Sequence, residues 1–387
     1  MPHQKPRHLL SLFQKRLKLW PVLGLLGARQ VGKSTLLRDQ LAPRIGASYV
    51  TLDDLDIREQ ARRRPAYFLQ SFEGKPLILD EVQKVPDLFD AIKANVDRKR
   101  IPGCFLLSGS TEFSKKTGIH ESMTGRMGLF RLHPMTLAET LEEPLKIPWV
   151  DDKFSSNRSS SAVNKRIEQG GFPGVCFLRN PEERKALLAS WLETTCYRDL
   201  QQIRGSRLSG DLAMQVLRAL ARLGAPPLPD LVKEVGIDAR RVRSHIEALE
   251  ALFVVQHVNG NSWGVKKAVY SLCDSGLARY CGASIESACR IWLLNEAMAQ
   301  FEAAGVRVQI EHYVSSKGSV VDFVIEKKNK MTAYILCFKE APGTYELRPA
   351  YAFLKKQPQA QIRILTPTSK VFHESKNIII VPWQAMA

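Results

Sequence analysis

The chain has 387 residues, of which 44% are hydrophobic and 25% are charged, so it can form two or three domains with ordinary cores. A formal net charge of +17 favours contact with nucleic acid or another polyanion; a basic surface that only aids solubility is the alternative. No run approaches the roughly twenty apolar residues of a membrane helix, and seven scattered cysteines without a C-x-x-C pair argue against zinc sites and disulfides. We therefore expect a cytoplasmic protein without membrane contact.

The first strong pattern follows a basic helix predicted within residues 1–20 and an apolar strand predicted at 22–26. Residues 27–34 fit the pattern G-x-x-x-x-G-K-S and open into a helical stretch. In such a loop, backbone N–H groups and the helix N-terminus surround an anion. We expect Lys33 to reach the β- and γ-phosphates of a nucleotide, and the Ser34 hydroxyl to bind Mg²⁺. The predicted nucleotide contacts are Gly27, Ala28, Arg29, Gln30, Val31, Gly32, Lys33, Ser34 and Thr35.

Two acidic residues follow the apolar strand predicted at residues 76–79. A buried parallel strand delivers such carboxylates to its C-terminal edge, where the phosphate-binding loop also lies. We expect Asp80 to hold Mg²⁺ through water, and Glu81 to orient and deprotonate the water that attacks the γ-phosphate. The alternative interpretation is a surface acidic pair without a chemical role.

Polar residues around the next two strands supply further catalytic candidates. Ser110 and Thr111 follow the strand predicted at 104–108, and a hydroxyl at this strand end would lie beside the γ-phosphate and sense its hydrolysis. Arg126 precedes a fifth strand at 129–132. As an arginine finger, Arg126 would reach a phosphate in its own or a neighbouring subunit of a homo-oligomer, and such groups contribute roughly 10³- to 10⁵-fold in rate. A solvated arginine is the alternative.

Together these motifs resemble the AAA+ ATPases of bacteria and archaea, whose α/β core is a five-stranded parallel sheet. Within them the chain is similar to a family with a fused C-terminal region of unknown function. The similar segments are residues 27–35, 79–83, 107–110, 124–126, 132–139, 170–173, 197–200 and 267–278. The resemblance implies ATP and Mg²⁺ as cofactors, and it places a lid-like helical region near the ATPase at residues 182–203.

The middle of the chain predicts a second module after the ATPase domain at residues 1–150. Residues 151–164 are rich in serine and lack apolar periodicity, which predicts a linker. Within residues 165–275, helices predicted up to residue 252 and a hairpin at 253–272 suggest a winged helix. Its second helix is the candidate DNA reader, and the same fold also serves as a protein-contact module. That helix bears Arg240, Arg241, Arg243 and His245, and its three arginines are the candidate DNA contacts.

Residues 276–387 carry a three-part pattern that resembles the PD-(D/E)xK restriction-endonuclease core. Glu296 lies on an apolar helix, Asp322 on a strand and Lys339 on the next strand. Active members carry Glu or Asp two positions before the lysine, whereas this chain has Cys337, and a thiol is a poor ligand for Mg²⁺. We therefore predict a degenerate nuclease-like α/β domain without nuclease activity, which still binds DNA or another chain.

These observations predict an ATP-hydrolysing AAA+ protein whose ATP cycle moves the middle and C-terminal domains on DNA. Three other interpretations remain open. The first is a DNA-binding regulator in which the nucleotide is a switch with little turnover. The second is a nuclease gated by ATP, which would use Asp322. The third is a remodelling or defence-type switch that acts on a protein partner.

Overall fold

The chain folds around two β-sheets, and the first of them ends at the phosphate-binding loop. The computed structural model describes residues 5–112, 123–151, 153–154, 158–203, 208–327 and 330–387. In chain order, the strands of the first sheet are β1 (Val22–Leu26), β2 (Ser48–Thr51), β3 (Leu77–Asp80), β4 (Phe105–Gly109) and β5 (Met127–Arg131). They lie parallel in the order β2-β3-β4-β1-β5. The predicted five-stranded parallel α/β core is therefore confirmed.

The inner strands of this sheet are fully buried, as expected for a parallel sheet covered on both faces. The helices of this part of the chain are α1 (Leu9–Arg16), α2 (Ala42–Ile45, continuing the π-helical segment Thr35–Leu41), α3 (Leu55–Arg63), α4 (Pro65–Gln70), α5 (Leu88–Lys99), α6 (Leu137–Thr140) and α7 (Pro148–Asp151). Helix α1 confirms the predicted basic helix near the start, and it buries Leu9, Leu10 and Phe13.

The serine-rich segment predicted to be a linker contains the start of a helix. Helix α8 (Ser160–Gln169) begins there, and the Ser159 hydroxyl accepts a hydrogen bond from the Ala162 N–H in its first turn. Serine caps helices in this way, and its abundance alone does not distinguish a cap from a linker. The helices that follow are α9 (Pro173–Cys176) and α10 (Pro181–Glu193), which continues through a π-helical segment, Thr194–Asp199, and a short turn, Leu200–Gln202.

Three helices and a hairpin follow, in the order that the sequence predicts. They are α11 (Gly210–Leu223), α12 (Leu228–Val235), α13 (Ala239–Ala251), β6 (Val255–Gly260) and β7 (Val269–Leu272). Helix α12 ends at Gly236, whose φ of +71° is a left-handed conformation that favours glycine. The Asp238 carboxylate then accepts hydrogen bonds from the backbone N–H groups of Arg240 and Arg241 at the start of α13.

The second sheet joins this hairpin to the C-terminal strands. Its eight strands lie in the order β12-β13-β11-β10-β9-β8-β6-β7. The added elements are α14 (Ser275–Tyr280), α15 (Ile285–Ala304), β8 (Gln309–Val314), β9 (Val320–Lys327), β10 (Lys330–Leu336), α16 (Thr344–Lys356), β11 (Gln361–Thr366), β12 (Phe372–His373) and β13 (Ile378–Pro382). Strands β6 and β8 pair in parallel, Asn259 with Glu311 and Gly260 with His312. One sheet therefore crosses the boundary predicted at residue 275, because strand pairing between distant segments leaves no local sequence signal.

Helix α15 connects the two halves of the molecule. It packs against α1 beside the first sheet, and apolar side chains of both halves belong to one continuous buried cluster. Among the residues that the structure describes, none of the helices combines the length and apolar character needed to cross a bilayer.

Candidate nucleotide-binding site

The phosphate-binding loop turns sharply between β1 and the helical segment at residues 35–45. Gly27 has a φ of +155°, and a Cβ atom at this position would lie 2.4 Å from the Leu132 carbonyl oxygen. Gly32 has a φ of +101°, which side chains rarely tolerate. The two glycines of the motif therefore allow the loop to pass directly against the segment that follows β5.

Lys33 is buried inside this loop. Its Nζ donates hydrogen bonds to the carbonyl oxygens of Gly27 and Ala28, both at 2.9 Å. Burial lowers the pKa of Lys33, while the nearby carboxylates of Glu81 and Asp80 oppose that shift. The ammonium group thus lies where the loop and the ends of the strands converge, as the motif predicts.

The two predicted Mg²⁺ ligands meet at one tyrosine. Asp80 is buried at the end of β3 and accepts hydrogen bonds from the hydroxyls of Tyr49 and Ser108. Burial raises the pKa of Tyr49, and the bond to Asp80 raises it further, whereas the Ser34 hydroxyl opposes the shift. A hydroxyl and a carboxylate are the hard oxygen ligands that Mg²⁺ prefers, so this pair fits the ion.

No group of three or more His, Cys, Asp or Glu residues is placed to hold a metal ion anywhere in the described part of the chain. A Mg²⁺ ion at Ser34 and Asp80 would therefore take its remaining ligands from water and from nucleotide phosphates, which is the usual arrangement for this ion.

Glu81 lies beside the predicted sensor. Its backbone has a left-handed φ of +58°, which is strained for a residue other than glycine. Its carboxylate accepts a hydrogen bond from the Ser110 hydroxyl at 2.9 Å and another from Gln83 Nε2. Gln83 also lies 3.3 Å from the Ser110 hydroxyl oxygen. The structure thus places Ser110, the first of the two candidate sensors, in direct contact with the candidate base.

Arg126 lies at the ends of the strands opposite to those that carry the phosphate-binding loop. Val22 of β1 pairs with Met127 of β5 in parallel register, so Arg126 precedes the strand end that is distant from the loop. A five-residue strand separates the two edges by about 16 Å. The Arg126 guanidinium forms an ion pair with Asp97, at 2.6 and 3.0 Å. An arginine finger acting in its own subunit is therefore excluded in this conformation, and only action on a neighbouring subunit remains a prediction.

The helical region predicted to lie near the ATPase touches the loop. Arg29 Nη1 lies 3.3 Å from both carboxylate oxygens of Asp199, near the end of the α10 continuation. On α10 itself, Trp191 Nε1 donates to the Arg29 carbonyl oxygen at 3.1 Å. The loop is thus held from outside the first sheet as well as from within it.

A cavity of about 660 Å³ opens from the loop toward this helical region. Gly32, Lys33, Ser34 and Glu81 belong to its polar lining. Its apolar lining includes Met135, Phe177, Leu178 and Leu187. Leu187 of α10 is 45% exposed and lines this cavity. The volume falls in the range of small-molecule sites.

Each of the three residues in the nuclease-like pattern binds a different partner. Glu296 is fully buried and accepts the Leu137 N–H at 2.7 Å, and burial raises its pKa to about 7. Asp322 pairs with Arg290, and Lys339 forms an ion pair with a glutamate of α16. No hydrogen bond or ion pair that the structure describes joins any two of the three.

Arg290 occupies the position beside Asp322 that a metal ion would need. Its Nε lies 2.6 Å from one carboxylate oxygen, and the Leu336 N–H donates to the other at 2.8 Å. Burial raises the pKa of the Cys337 thiol, so it remains protonated and a still poorer ligand for Mg²⁺.

The candidate DNA-reading helix exposes its arginines but not its histidine. Arg240, Arg241 and Arg243 are exposed on α13. His245 is buried: its Nε2 accepts the Ser209 N–H at 2.9 Å, and its Nδ1 lies 2.7 Å from the Arg241 carbonyl oxygen. His245 therefore links α13 to the segment before α11, and the three exposed arginines remain the candidate DNA contacts of this helix.

Comparison with known protein families divides the chain into two matched regions. Residues 20–141 match the family model described as an AAA domain, and residues 160–284 match a domain of unknown function, DUF8612. Two mycobacterial proteins, each named only as an uncharacterized protein, are similar: Mb2031c of Mycobacterium bovis and Rv2008c of Mycobacterium tuberculosis. Each is 26% identical over 256 residues, which cover 65% of this chain and 53% of the relative. The chain thus spans about half the length of these relatives.

Two solved structures are similar at low identity. The Walker-type ATPase PABY2304 of Pyrococcus abyssi is 14% identical with a TM-score of 0.41, over 73% of this chain and 96% of that one. PCH-2 of C. elegans is 14% identical with a TM-score of 0.25, over 62% of this chain and 67% of that one. The family match and the observed strand order identify the N-terminal part of the chain as a P-loop domain of the AAA type, the fold of ATP-binding and ATP-hydrolysing proteins.

Proposed function

We propose that the chain hydrolyses ATP and uses the turnover to rearrange its middle and C-terminal regions on DNA. The observation that carries this proposal is a row of hydrogen bonds between α15 and the segment beside the phosphate-binding loop. It offers a direct physical connection between the site of hydrolysis and the second sheet.

The site supports in-line attack of water on the γ-phosphate. Lys33 would leave the carbonyl oxygens of Gly27 and Ala28 and donate to phosphate oxygens, together with the N–H groups of the loop. Mg²⁺, when bound at Ser34 and Asp80, would neutralise charge on the phosphates. Gln83 and Ser110 both donate to Glu81 Oε2, so Glu81 would use its other carboxylate oxygen, Oε1, to orient and deprotonate the attacking water.

The apolar part of the cavity lining suits the nucleobase. Phe177 and Leu187 line it, and the Lys5 ammonium lies 5.9 Å from the centre of the Phe177 ring. A flat heteroaromatic base gains stacking and apolar burial on such a surface. Because the phosphate-binding loop and the helical residue Leu187 line the same cavity, a bound nucleotide would connect the AAA domain with the helical region.

The connection to the second sheet begins directly after β5. Residues 131–137 pass beside Gly27, and α15 is bonded to this segment at three points. The three bonds run from the Arg131 N–H to Glu302 Oε1 (2.9 Å), from Asn295 Nδ2 to the Pro134 carbonyl oxygen (3.3 Å) and from the Leu137 N–H to Glu296 Oε1 (2.7 Å). A shift of the loop on nucleotide binding would therefore displace more than one turn of α15 through these hydrogen bonds.

The same helix reaches the second sheet at its other end. Arg290 of α15 binds Asp322 of β9, and Asp322 in turn accepts the Leu336 N–H of β10. A rigid helix fixed at both ends transmits displacement, provided that both sites bias its position. The sheet also contains β6, against which α13 packs, and α13 carries the exposed arginines. DNA bound at those arginines would thus be mechanically linked to the nucleotide.

ATP turnover measured with and without single- and double-stranded DNA, at two salt concentrations, tests the proposal. We expect DNA to stimulate turnover, and stimulation to weaken at high salt because phosphate contacts release counterions. Asn295→Ala should reduce the stimulation while basal turnover stays within about twofold of wild type, and Ser287→Ala on the same helix is the matched control. Turnover that DNA leaves unchanged at both salt concentrations would exclude DNA as the coupled partner.

A DNA-binding regulator with little turnover is the second candidate. The restraint of Glu81 by Gln83 and Ser110 favours it, because the two hydrogen bonds hold the carboxylate in one orientation and would have to break for it to turn toward an attacking water. Slow hydrolysis that DNA does not accelerate, combined with DNA affinity that changes between ATP and ADP, would support this candidate over the first.

A further inference from the structure

Arg7 belongs to none of the motifs, yet it contacts the phosphate-binding loop. Its side chain is only 6% exposed. Nη1 donates to the Val31 carbonyl oxygen at 2.9 Å, Nη2 donates to the His133 carbonyl oxygen at 2.6 Å, and Nε lies 3.1 Å from Glu139 Oε2. A single guanidinium group thus joins the loop, the segment after β5 and α6.

We propose that Arg7 is a positioning residue for nucleotide binding, which holds the peptide between Val31 and Gly32 so that its N–H faces the phosphates. The inference rests on the proposed binding of ATP in the cavity, which Arg7 also lines.

Peptide geometry gives the physical reason. In a planar trans peptide the C=O and the N–H point in opposite directions. When Arg7 binds the Val31 carbonyl oxygen, it therefore also fixes the direction of the Gly32 N–H. Gly32 has a φ of +101°, and glycine populates alternative backbone conformations readily. Without Arg7, this peptide can turn its carbonyl oxygen toward the anion, which would repel it.

Arg7 is itself held in place by a fixed carboxylate. Glu139 accepts the His8 N–H at 2.8 Å and the Thr136 N–H at 3.0 Å, and its own backbone N–H donates to the Thr136 hydroxyl in a capping box. The planar guanidinium uses its nitrogens in different directions at once, which a lysine ammonium cannot reproduce with the same geometry. The arrangement therefore specifies arginine rather than any positive charge.

Arg166 provides a matched comparison. It is also buried, and its Nη2 donates to the carbonyl oxygens of Met135 and Thr136, in the same segment that Arg7 contacts through His133. The described contacts of Arg166 do not include the phosphate-binding loop. Loss of either arginine removes a buried guanidinium from the same neighbourhood, but only loss of Arg7 releases the loop.

The test compares the full-length variants Arg7→Met, Arg7→Lys and Arg166→Met with wild type. Affinity for MgATP and for inorganic tripolyphosphate is measured by calorimetry, KM and kcat by phosphate release, and Tm by thermal unfolding. We expect Arg7→Met to weaken both ligands by about 10- to 100-fold, as for loss of a charged hydrogen bond, and to raise KM more than it lowers kcat. Arg7→Lys should fall between Arg7→Met and wild type. Arg166→Met should lower Tm by a similar amount but leave both affinities within about twofold.

Three results would overturn the inference. Arg7 variants that bind both ligands like wild type would show that the loop needs no such support. Arg166→Met with an equal loss of affinity would show a general effect of destabilisation. If Arg7→Met does not fold, wild-type affinity of Arg7→Lys for both ligands would likewise show that the loop needs no support from Arg7. Wild-type protein that fails to bind MgATP would instead reject the proposed function itself, and this inference with it.

Discussion

Replacement of Glu81 by glutamine isolates the charge of the candidate base from its structural role. The Glu81 carboxylate accepts bonds from Ser110 and Gln83. A glutamine carbonyl oxygen can accept the same two bonds, so we expect the strained turn after β3 to persist. The variant Glu81→Gln should therefore fold normally and keep the cavity intact.

The expected loss of activity follows from the chemistry of proton transfer. General-base catalysis contributes typically 10²- to 10⁴-fold, which corresponds to about 3 to 5 kcal/mol of transition-state stabilisation. We expect kcat to fall by that factor in the Glu81→Gln variant. Affinity for ATP should be unchanged or higher, because a negative charge near Lys33 and the phosphates is removed.

Phosphate release under single-turnover and steady-state conditions measures the loss, and calorimetric titration with MgATP measures binding. Glu59→Gln is a suitable control, because Glu59 is an exposed acid that pairs with Arg62 on α3. Turnover of the Glu81→Gln variant within threefold of wild type would refute the assignment of Glu81 as the base. Loss of ATP binding in a folded variant would show that the charge serves binding instead.

Three further predictions concern the nucleobase, the buried carboxylate and the distant arginine. Phe177→Ala should weaken the affinity for ATP by about tenfold but leave the affinity for tripolyphosphate unchanged. Tyr67→Ala, at an exposed aromatic residue of α4, is the control. An equal loss of affinity for both ligands would argue against a base site at Phe177. The pKa of Glu296 is raised from 4.5 to about 7, so the native state binds the proton of this carboxyl group more tightly than the unfolded state does. The resulting stabilisation of the native state, on the order of 3 kcal/mol, is fully present below pH 4.5 and is lost as the pH rises through 7. Thermal unfolding of wild type and Glu296→Gln between pH 5 and 8 should show that the glutamine variant lacks this decline, and parallel curves would contradict it. Arg126→Ala should lower turnover, and mixing it with Glu81→Gln subunits should restore part of it if Arg126 acts on a neighbouring subunit; full activity of Arg126→Ala alone would exclude the finger.

The parts that sequence reasoning predicted correctly are contiguous or strictly local. Residues 27–34 encode their own turn, because the two glycines and Lys33 act within a single loop. The buried strand that ends in Asp80 and Glu81 shows its pattern within six residues, and the parallel arrangement then places both acids beside the loop. Ser110 followed from the same rule for β4, and the structure brings it to Glu81.

The parts that were missed come from segments far apart in the chain. Tyr49 and Ser108 hold Asp80 from neighbouring strands, and no local pattern distinguishes them from other polar residues near strand ends. Arg7 lies in a basic segment in which one arginine looks like another. The nuclease-like pattern of Glu296, Asp322 and Lys339 stays a prediction, and the separate partners that these three side chains bind could not be read from their spacing along the chain.

The amino-acid sequence by itself determined the phosphate-binding loop, the acids that face it and the parallel core that carries both, because backbone conformation and strand burial are set by neighbouring residues. Only the tertiary structure decided that Arg126 lies at the strand ends distant from the loop, that α15 forms hydrogen bonds with the segment after β5, and that the hairpin pairs with the C-terminal strands. These outcomes depend on register and packing between distant segments. Many weak contacts between these segments together determine the register and the packing, so no single stretch of the sequence predicts them.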